Sequence, residues 1–537
     1  MQHNFSSTQI IRKQVVRSAG GVVAAQHRKA AEAGAAVLAG GGTAIDAAVA
    51  TSFALGVVEP WMSGPLGGGA MVFYQAAENN IKTIYFGMKA SEALLPEAYP
   101  VVTSEATGLF GWPGVEGDRN LHGATAMAVP GTVAGMELAH QKYGTLPWHQ
   151  LLQPAIELAK EGLLVDWYTS LMIAGSAKWL SQDSDAARMF LDEGTWPKAA
   201  GWTASTQQKI DLSSAASTLE FLAVEGPRSF YEGEIAKALV SDVTMKGGFL
   251  THRDLAQYKP IEAKPLTVNY RGAKIFTAPE MTSGPNLIRF LERLSAHRLV
   301  GKLPGEEAFL RYAEVLAGER NWRLSNMGDN EDARSPACTT HFSIVDRLGN
   351  MCSVTQTLLS AFGSRVVSPT TGFLANNGIM WFDPVPGNRN SIAPSRRCLM
   401  NICPTLGEVN ERRFALGASG GRKILSAVAQ LVSFLVDFDM TLEEAFHHPR
   451  IDASGTTLAM DPTLPFEVKE ALSRQFVTTE APRTTYAYPF ACHVGVLSDH
   501  DGNQGSTEST SPWGDTIHEN DVMRPPPVSP RTEDLSP

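Results

Sequence analysis

The chain has 537 residues and a formal net charge of −10 at pH 7, with 45 basic and 55 acidic side chains. The charges are mixed in sign and show no basic footprint, so we expect no nucleic-acid partner. The sequence contains no run of about 18 apolar residues, which argues against a membrane-spanning helix and a membrane partner. Residues 1–17 are polar and lack the apolar core of a secretory signal, so we expect a cytoplasmic location.

The cysteines suggest neither a disulfide framework nor a zinc site, because their number is odd and their spacing is irregular. We expect buried, reduced thiols, with no metal and no cofactor. One of them directly precedes the candidate nucleophile described below, but no histidine or carboxylate pattern around it supports a cysteine nucleophile. The five are Cys338, Cys352, Cys398, Cys403 and Cys492.

Helix signals are clear near the start of the chain. The Ala-rich stretch 28–39 predicts a helix that ends at three consecutive glycines. Thr43 and Asp46 form a capping box that opens a second helix, predicted to run to about Val57 and to end before Pro60. Further along, the pattern predicts strands at 70–75 and 82–87 and helices at 131–142, 148–162 and 305–320.

The second half alternates predicted strands and helices in the same way. Strands are predicted at Val366–Asn376 and Phe414–Ala418, followed by a helix at Lys423–Phe438. The order of elements is typical of an α+β fold in which sheets are covered by helices. From about residue 519 to 537 the chain is polar and rich in proline, so we expect a disordered tail.

The segment that begins at Thr339 predicts a β-hairpin. With a three-residue loop that ends at a left-handed Gly349, Asp346 pairs with Asn350. The numbers of paired residues then sum to 696, so Thr339 lies opposite Thr357 on the same face of the sheet. A threonine whose preceding peptide bond is cut can use its own α-amine as a base, which makes Thr339 a candidate nucleophile.

Six stretches of the chain resemble, in order and spacing, the γ-glutamyltranspeptidase family of N-terminal-nucleophile hydrolases. Together they extend from about residue 20 to about residue 515. The resemblance implies a four-layer αββα sandwich made as one precursor and cut into a large subunit, 1–338, and a small subunit, 339–537. The stretches are Gly34–Pro60, Ser63–Gly69, Val129–Gly135, Gly247–Tyr258, Thr339–Thr357 and Gly417–Gly421.

The resemblance also implies a mechanism. Thr339 cuts the bond after Cys338, and its freed α-amine, with an ordinary pKa of about 7.7–8.0, then serves as the base. The acyl-enzyme formed from a small-molecule amide is resolved by water or by an acceptor amine. Thr357 orients the Thr339 hydroxyl, and the backbone of Gly420 and Gly421 stabilises the oxyanion. The linker before Thr339 is shorter than in relatives. We expect this difference to affect how efficiently the precursor is cut.

The substrate pocket departs from the family pattern. The arginine that grips the glutamyl α-carboxylate in classical members falls at Gly87, and Lys89 and Arg397 are candidate substitute cations, with Asp383 a candidate anion. An apolar pocket disfavours a zwitterionic head group, so the pattern is closer to the acylase-like branch of the family. The other polar positions of the glutamyl grip are occupied here by Leu359, Gly378, Trp381, Met400 and Asn401.

Three functions follow as hypotheses. The leading one is an autoprocessing amide hydrolase or acyltransferase, nominally a γ-glutamyltransferase or glutathione hydrolase. The alternative is an acylase for a less polar acyl amide, of the glutaryl or cephalosporin-acylase type. An uncleaved pseudoenzyme with a binding role is the third, against which the intact Thr339, Thr357 and glycine pair argue.

Overall fold

A computed structural model of the chain describes residues 12–107, 112–201, 203, 206–279, 281–327, 337–485 and 488–522. The helices in these ranges are α1 (Arg28–Ala39), α2 (Ala44–Val58), α3 (Thr132–Tyr143), α4 (Trp148–Glu161), α5 (Trp167–Leu180), α6 (Ser184–Phe190), α7 (Ser213–Glu225), α8 (Ser229–Glu232), α9 (Glu234–Met245), α10 (His252–Gln257), α11 (Gly284–Ser295), α12 (Glu306–Met327), α13 (Lys423–Asp437), α14 (Leu442–His447) and α15 (Phe466–Gln475).

The strands in the same ranges are β1 (Val16–Ser18), β2 (Val22–Ala25), β3 (Gly68–Gln75), β4 (Asn80–Phe86), β5 (Val101–Thr107), β6 (Trp112–Val115), β7 (Leu163–Leu164), β8 (Leu191–Asp192), β9 (Trp196–Pro197), β10 (Lys209–Ile210), β11 (Ile261–Ala263), β12 (Leu266–Tyr270), β13 (Ala273–Thr277), β14 (Ala337–Val345), β15 (Met351–Ser360), β16 (Thr405–Val409), β17 (Arg412–Ser419), β18 (Ile451–Asp452), β19 (Leu458–Met460), β20 (Thr478–Glu480), β21 (Cys492–Asp499), β22 (Gly502–Thr507) and β23 (Asp515–His518).

Two antiparallel sheets, each with seven of these described strands, form the centre of the molecule. The first has the order β11-β4-β3-β15-β14-β2-β23, so the predicted hairpin of β14 and β15 lies in its interior. The second has the order β1-β22-β21-β17-β16-β13-β12. Both sheets therefore contain strands from both halves of the chain, with strands of the second half inserted between strands of the first.

Alternating side chains divide the core into layers. In β2, Val22 and Ala24 point into the apolar cluster between the sheets. Val23 and Ala25 point the other way, into the cluster formed with α1, α2, α3 and α4. A third cluster packs α11, α12 and α13 on the far side of the second sheet. The result is the four-layer αββα sandwich, which confirms the predicted fold class.

The first two helices form as predicted. The helix α1 has the predicted bounds, and the capping box that opens α2 is present, with the Thr43 side chain accepting from the Asp46 N–H. The Asp46 carboxylate also accepts the Thr145 N–H at 2.9 Å, which ties α2 to the segment before α4. Every residue of α2 is buried, so this helix lies in the core.

The predicted strand over Val366–Asn376 is wrong. This segment is a tight turn, in which the Ser368 N–H donates to the Phe373 carbonyl at 3.1 Å and an isolated bridge joins Val367 to Leu374. Pro369 cannot donate a ladder hydrogen bond, and Gly372 adopts a φ of +74°, so the chain reverses where a strand would continue. The helix predicted at 305–320 extends further, to the end of α12.

Near the end of the described chain, Glu519 is buried, and Arg347 donates to its carboxylate at 2.9 Å. The rest of the predicted tail from residue 523 lies outside the described residues.

Four cysteines, all but Cys338, are described as buried free thiols. Among the described residues, no helix combines the length and the apolar character needed to cross a lipid bilayer.

Candidate active site

The hairpin of β14 and β15 has the predicted register. Thr340 pairs with Gln356, and the Asp346 N–H donates to the Asn350 carbonyl at 3.0 Å. Gly349 closes the loop with a φ of +82°, which is the left-handed conformation that this loop type requires. The prediction that the numbers of paired residues sum to 696 is therefore confirmed along most of the hairpin.

The register shifts by one residue between Cys338 and Thr340, because Thr357 and Leu358 of β15 lie opposite the single residue Thr339 of β14. Its hydroxyl donates to the Thr357 hydroxyl, with 3.3 Å between the two Oγ1 atoms. The Thr357 Oγ1 also accepts the Leu359 N–H at 2.8 Å. Thr339 is 4% exposed and Thr357 is fully buried. The two predicted catalytic hydroxyls are thus in contact, inside the protein.

The glycine-rich loop at 63–69 brings backbone against this site. A Cβ atom at Gly67 would lie 2.5 Å from the Thr357 carbonyl oxygen. One at Gly69 would lie 2.3 Å from the Thr355 carbonyl oxygen. Only glycine permits these approaches. The glycines of this loop therefore allow the backbone to pass close to the start of the hairpin.

A buried carboxyl group lies next to the candidate nucleophile Thr339. The sequence alone did not identify it. The Thr340 hydroxyl donates to Glu59 Oε2 at 3.0 Å, and Glu59 is 3% exposed. Burial raises the pKa of Glu59 to about 8, although the Thr340 hydrogen bond opposes the shift, so the group is largely protonated at neutral pH. The available signal was an acidic residue, followed by Pro60, directly after the apolar run Phe53–Val58 that ends α2.

On the other face of β14, a buried histidine packs against the second sheet. His341 Nδ1 is 2.8 Å from the Thr355 hydroxyl, and Nε2 is 3.0 Å from the Ser343 hydroxyl. Burial lowers the pKa of His341 to about 3, so the ring is neutral at working pH. A Cβ at Gly417 in β17 would lie 2.3 Å from the ring, which shows how closely the sheets pack here.

The predicted oxyanion turn lies at the same end of the hairpin. Gly420 and Gly421 connect β17 to α13 with φ values of +131° and +60°, conformations that favour glycine. The residue before them, Ser419, accepts a hydrogen bond from Gln26 Nε2 at 2.5 Å. Gln26 directly follows β2, which pairs with β14. The turn is therefore adjacent to the start of β14, where Thr339 lies.

Most of the predicted pocket residues are packed and not open to solvent. Leu359, Trp381 and Met400 belong to one apolar cluster between the sheets. Gly378 is buried as well, and a Cβ there would lie 2.7 Å from the Ala128 Cβ, so the site has no room for a longer side chain.

At Gly87, the position of the family's arginine by resemblance, the space is filled. A Cβ at Gly87 would lie 2.1 Å from the hydroxyl oxygen of Tyr85. That hydroxyl donates to the Cys398 carbonyl at 3.0 Å, which holds the ring in place. A side chain at this position therefore requires the tyrosine to move.

Two of the three candidate substitute charges, Arg397 and Asp383, are engaged elsewhere. The Arg397 guanidinium lies over the Tyr258 ring at 5.3 Å and donates to the Lys259 carbonyl at 2.6 Å. Lys89 is half-buried and forms backbone bridges with its neighbours. The Asp383 carboxylate accepts from its own turn. Asn401 differs from these residues, because it lines a cavity beside the glycine turn.

Two contacting hydroxyls at the start of a central strand, within an αββα sandwich, define the class of N-terminal-nucleophile hydrolases. The sequence model for Gamma-glutamyltranspeptidase matches residues 30–337 and 311–511. The chain therefore belongs to the γ-glutamyltranspeptidase family of autoprocessing amidohydrolases and acyltransferases.

Individual relatives fall into two groups. The Acylase ACY 1 proenzyme of Pseudomonas sp. (strain V22) is 33% identical over 508 residues, covering 86% of this chain and 88% of its own. The glutathione hydrolase proenzyme of Bacillus subtilis (strain 168) is 30% identical over 494 residues, covering 82% and 81%. In fold, the chain is similar to the cephalosporin acylase of Bacillus halodurans, with a TM-score of 0.82, 23% identity, and coverage of 96% and 99%.

We predict that Thr357→Ala slows maturation and turnover by about tenfold or more, because the Thr339 hydroxyl loses the group that orients it. The buried Leu359 N–H also loses its acceptor, which costs about 1–3 kcal/mol of stability. Cleavage is followed on denaturing gels, and thermal unfolding checks the fold. Thr357→Ser should restore most of both rates. An unchanged rate in a folded Thr357→Ala variant would contradict the orienting role.

A second prediction concerns pH. Because the pKa of Glu59 is about 8 when folded, against about 4.5 when exposed, the folded state keeps a proton that the unfolded state releases. Stability should therefore fall between these pH values, on the order of a few kcal/mol in total. In Glu59→Gln, the loss of melting temperature from pH 5 to pH 8 should be smaller than in the wild type. Glu97→Gln, at an exposed position, is the control and should show the wild-type loss.

Proposed function

We propose that the chain matures by cutting the bond between Cys338 and Thr339. The Thr339 oxygen attacks the Cys338 carbonyl, the C–N bond breaks, and the proton moves to the new α-amine of Thr339. Water then hydrolyses the resulting ester and releases chains 1–338 and 339–537. The contact between the Thr339 and Thr357 hydroxyls, 3.3 Å apart where the register shifts, supports this step, because it orients the buried attacking hydroxyl at an irregular point of the ladder.

In turnover, the freed α-amine of Thr339 removes the hydroxyl proton as the oxygen attacks the substrate amide. The backbone N–H groups of Gly420 and Gly421 stabilise the oxyanion, a contribution that typically amounts to about 3–4 kcal/mol of barrier for one donor. The amine that leaves takes the proton, and an acyl-enzyme remains on Thr339. Water or an acceptor amine resolves it. Burial lowers the pKa of His341, which makes it a weak base, and keeps Glu59 protonated. The α-amine of Thr339 is therefore the group that accepts a proton at this end of β14.

For the substrate we propose acylase-type specificity, meaning hydrolysis of amides whose acyl group lacks the α-ammonium of glutamate. One observation carries this proposal: the Tyr85 hydroxyl fills the space at Gly87, where the family's carboxylate-binding arginine falls. Burying a zwitterion among Leu359, Trp381 and Met400 without matched charges costs several kcal/mol.

The second candidate is a γ-glutamyl hydrolase or transferase acting on glutathione. The similarity to the glutathione hydrolase of Bacillus subtilis favours it, since that relative covers most of both chains. The two candidates share the same catalytic groups and differ in how the acyl group is recognised.

We predict that Thr339→Ala remains a single full-length chain and has no amidase activity, because one hydroxyl serves both maturation and turnover. The wild type should show two bands and a new N-terminal threonine by sequencing. The exposed Thr267→Ala, on β12, is the matched control and should mature normally. Two-chain formation by Thr339→Ala, or a single band from prolonged incubation of the wild type, would refute the assignment.

We also predict that glutathione is a poor substrate. A glutaryl amide should be hydrolysed with a kcat/KM at least about tenfold higher, since its acyl group carries no ammonium to desolvate. Glutathione should saturate the enzyme only at millimolar concentration. Initial rates for both substrates with the mature protein decide the matter. Saturation by micromolar glutathione would favour the second candidate.

A further inference from the structure

The loop between α2 and β3, residues 59–67, begins directly after a helix whose every residue is buried. Backbone hydrogen bonds hold its first residue, Glu59, in a turn. The Glu59 N–H donates to the Leu55 carbonyl at 2.9 Å, and the Glu59 carbonyl accepts the Met62 N–H at 2.9 Å. Pro60 has a fixed φ and directly follows Glu59, so the Glu59 side chain projects from a turn of fixed geometry.

This loop contacts both strands of the central hairpin next to Thr339. On β14, the Thr340 hydroxyl donates to Glu59 Oε2 at 3.0 Å. On β15, the Leu358 N–H donates to the Met62 carbonyl at 3.0 Å. Thr340 directly follows Thr339, and Leu358 is one of the two residues that lie opposite Thr339. The loop therefore holds both strands at the point where the register shifts.

The regular part of the ladder beside Thr339 is held from the same side. Gln356, which pairs with Thr340, donates through Nε2 to the Ser63 hydroxyl at 3.0 Å and to the Ser52 carbonyl of α2 at 3.1 Å. Its Oε1 accepts the Ser52 hydroxyl at 2.6 Å. Gln356 is fully buried, so water does not compete for these contacts. The helix α2 and its loop thus fix the pair that follows the nucleophile.

The contact between Glu59 and Thr340 is a hydrogen bond between two buried groups. Because burial raises the pKa of Glu59 to about 8, its carboxyl group is largely neutral at neutral pH. A neutral carboxyl group has one donor hydrogen and acceptor oxygens, and a carboxamide also has both kinds of group. A glutamine at this position can therefore keep the acceptor for Thr340, whereas a leucine cannot.

We propose that Glu59 is a positioning residue for Thr339, because through Thr340 it fixes the backbone of β14 directly after the nucleophile, while the Met62 carbonyl fixes β15 opposite. This inference rests on the proposed role of Thr339 in maturation and turnover. Glu59 acts through Thr340, so it sets the distance and angle at which the Thr339 hydroxyl meets a carbonyl carbon. A displacement of about 1 Å in such a geometry can lower a rate about a hundredfold.

The test removes each side of the hydrogen bond in the full-length precursor. Glu59→Leu and Thr340→Val should each slow maturation about tenfold or more and lower the kcat of the mature enzyme by a similar factor. KM should change little, because Thr340 points to the face of β14 opposite the Thr339 hydroxyl. Maturation is followed on denaturing gels. Turnover is measured with glutaryl-p-nitroanilide or γ-glutamyl-p-nitroanilide, whichever the wild type hydrolyses faster.

Three further variants separate positioning from a general loss of stability. Glu59→Gln keeps an acceptor oxygen and should retain most of both rates. The double variant Glu59→Leu/Thr340→Val should be no slower than the slower single variant, because both changes remove the same hydrogen bond. Thr83→Val, at a fully buried position of β4, loses a hydrogen bond to the Ala263 carbonyl at 3.0 Å. It is the matched control and should keep the wild-type rates.

Other outcomes overturn the inference, and thermal unfolding shows which variants are folded. Wild-type rates in a folded Thr340→Val variant would show that the contact does not position the nucleophile. If Glu59→Gln is as slow as Glu59→Leu, the carboxyl group has an acid–base role instead. A raised KM with an unchanged kcat would indicate substrate binding. If Glu59→Leu does not fold, Thr340→Val decides, since valine keeps the shape of threonine.

Failure of the positioning role is distinguishable from failure of the proposed function. If the wild type matures and the folded Glu59 and Thr340 variants mature equally fast, only the positioning role is wrong. If the wild type itself does not form two chains, the nucleophile assignment and the positioning role both fail.

Discussion

The register of one hairpin is the constraint on which the rest of the site depends. In the loop between β14 and β15, Asp346 Oδ1 accepts the N–H groups of Leu348 and Asn350, each at 2.9 Å. Its Oδ2 accepts the Ala44 N–H at 3.0 Å, which anchors the loop to the start of α2. A slip of one residue would turn every side chain to the opposite face and separate the two hydroxyls. The contact between the Thr339 and Thr357 hydroxyls thus depends on hydrogen bonds in the loop at the opposite end of the hairpin.

The two faces of β14 carry different tasks. On the face toward the second sheet, Thr339 and His341 each contact a hydroxyl group of the neighbouring strand β15. On the face toward α2, Thr340 contacts the buried Glu59. The register shift between Cys338 and Thr340 therefore lies beside contacts on both faces of the strand, at the position where bond rearrangement is proposed.

Local signals in the sequence were sufficient for the elements that build the site. The capping box at Thr43 and the left-handed Gly349 loop each act over a few residues, so the bounds of α1, the start of α2 and the hairpin register were predictable. The fold class came from resemblance, since no local pattern specifies how two sheets stack. The segment around Pro369 was misread because its apolar residues suggested a strand, while its proline and glycine closed a turn.

Other parts of the site were not predictable, because their roles come from distant contacts. Glu59 meets Thr340 across 281 positions of the chain, and Gln26 meets Ser419 across 393. Neither Glu59 nor Gln26 belongs to a recognisable motif, and each acquires its environment only when the sheets and helices have packed. The blocked space at Gly87 is a similar case, because it depends on the direction of the Tyr85 ring.

The interleaving of strands from the two halves has a consequence for the order of events in the cell. β2 lies between β14 and β23, and β1 pairs with β22, so strands near the start of the chain find partners only in its second half. Because ribosomes make the N-terminal part first, β2 stays unpaired until β14 has been made, and its sheet is complete only after β23. The sheet that contains Thr339 is therefore complete only when nearly the whole chain exists. The proposed self-cleavage is thereby coupled to nearly finished translation, which protects an incomplete chain from premature cutting.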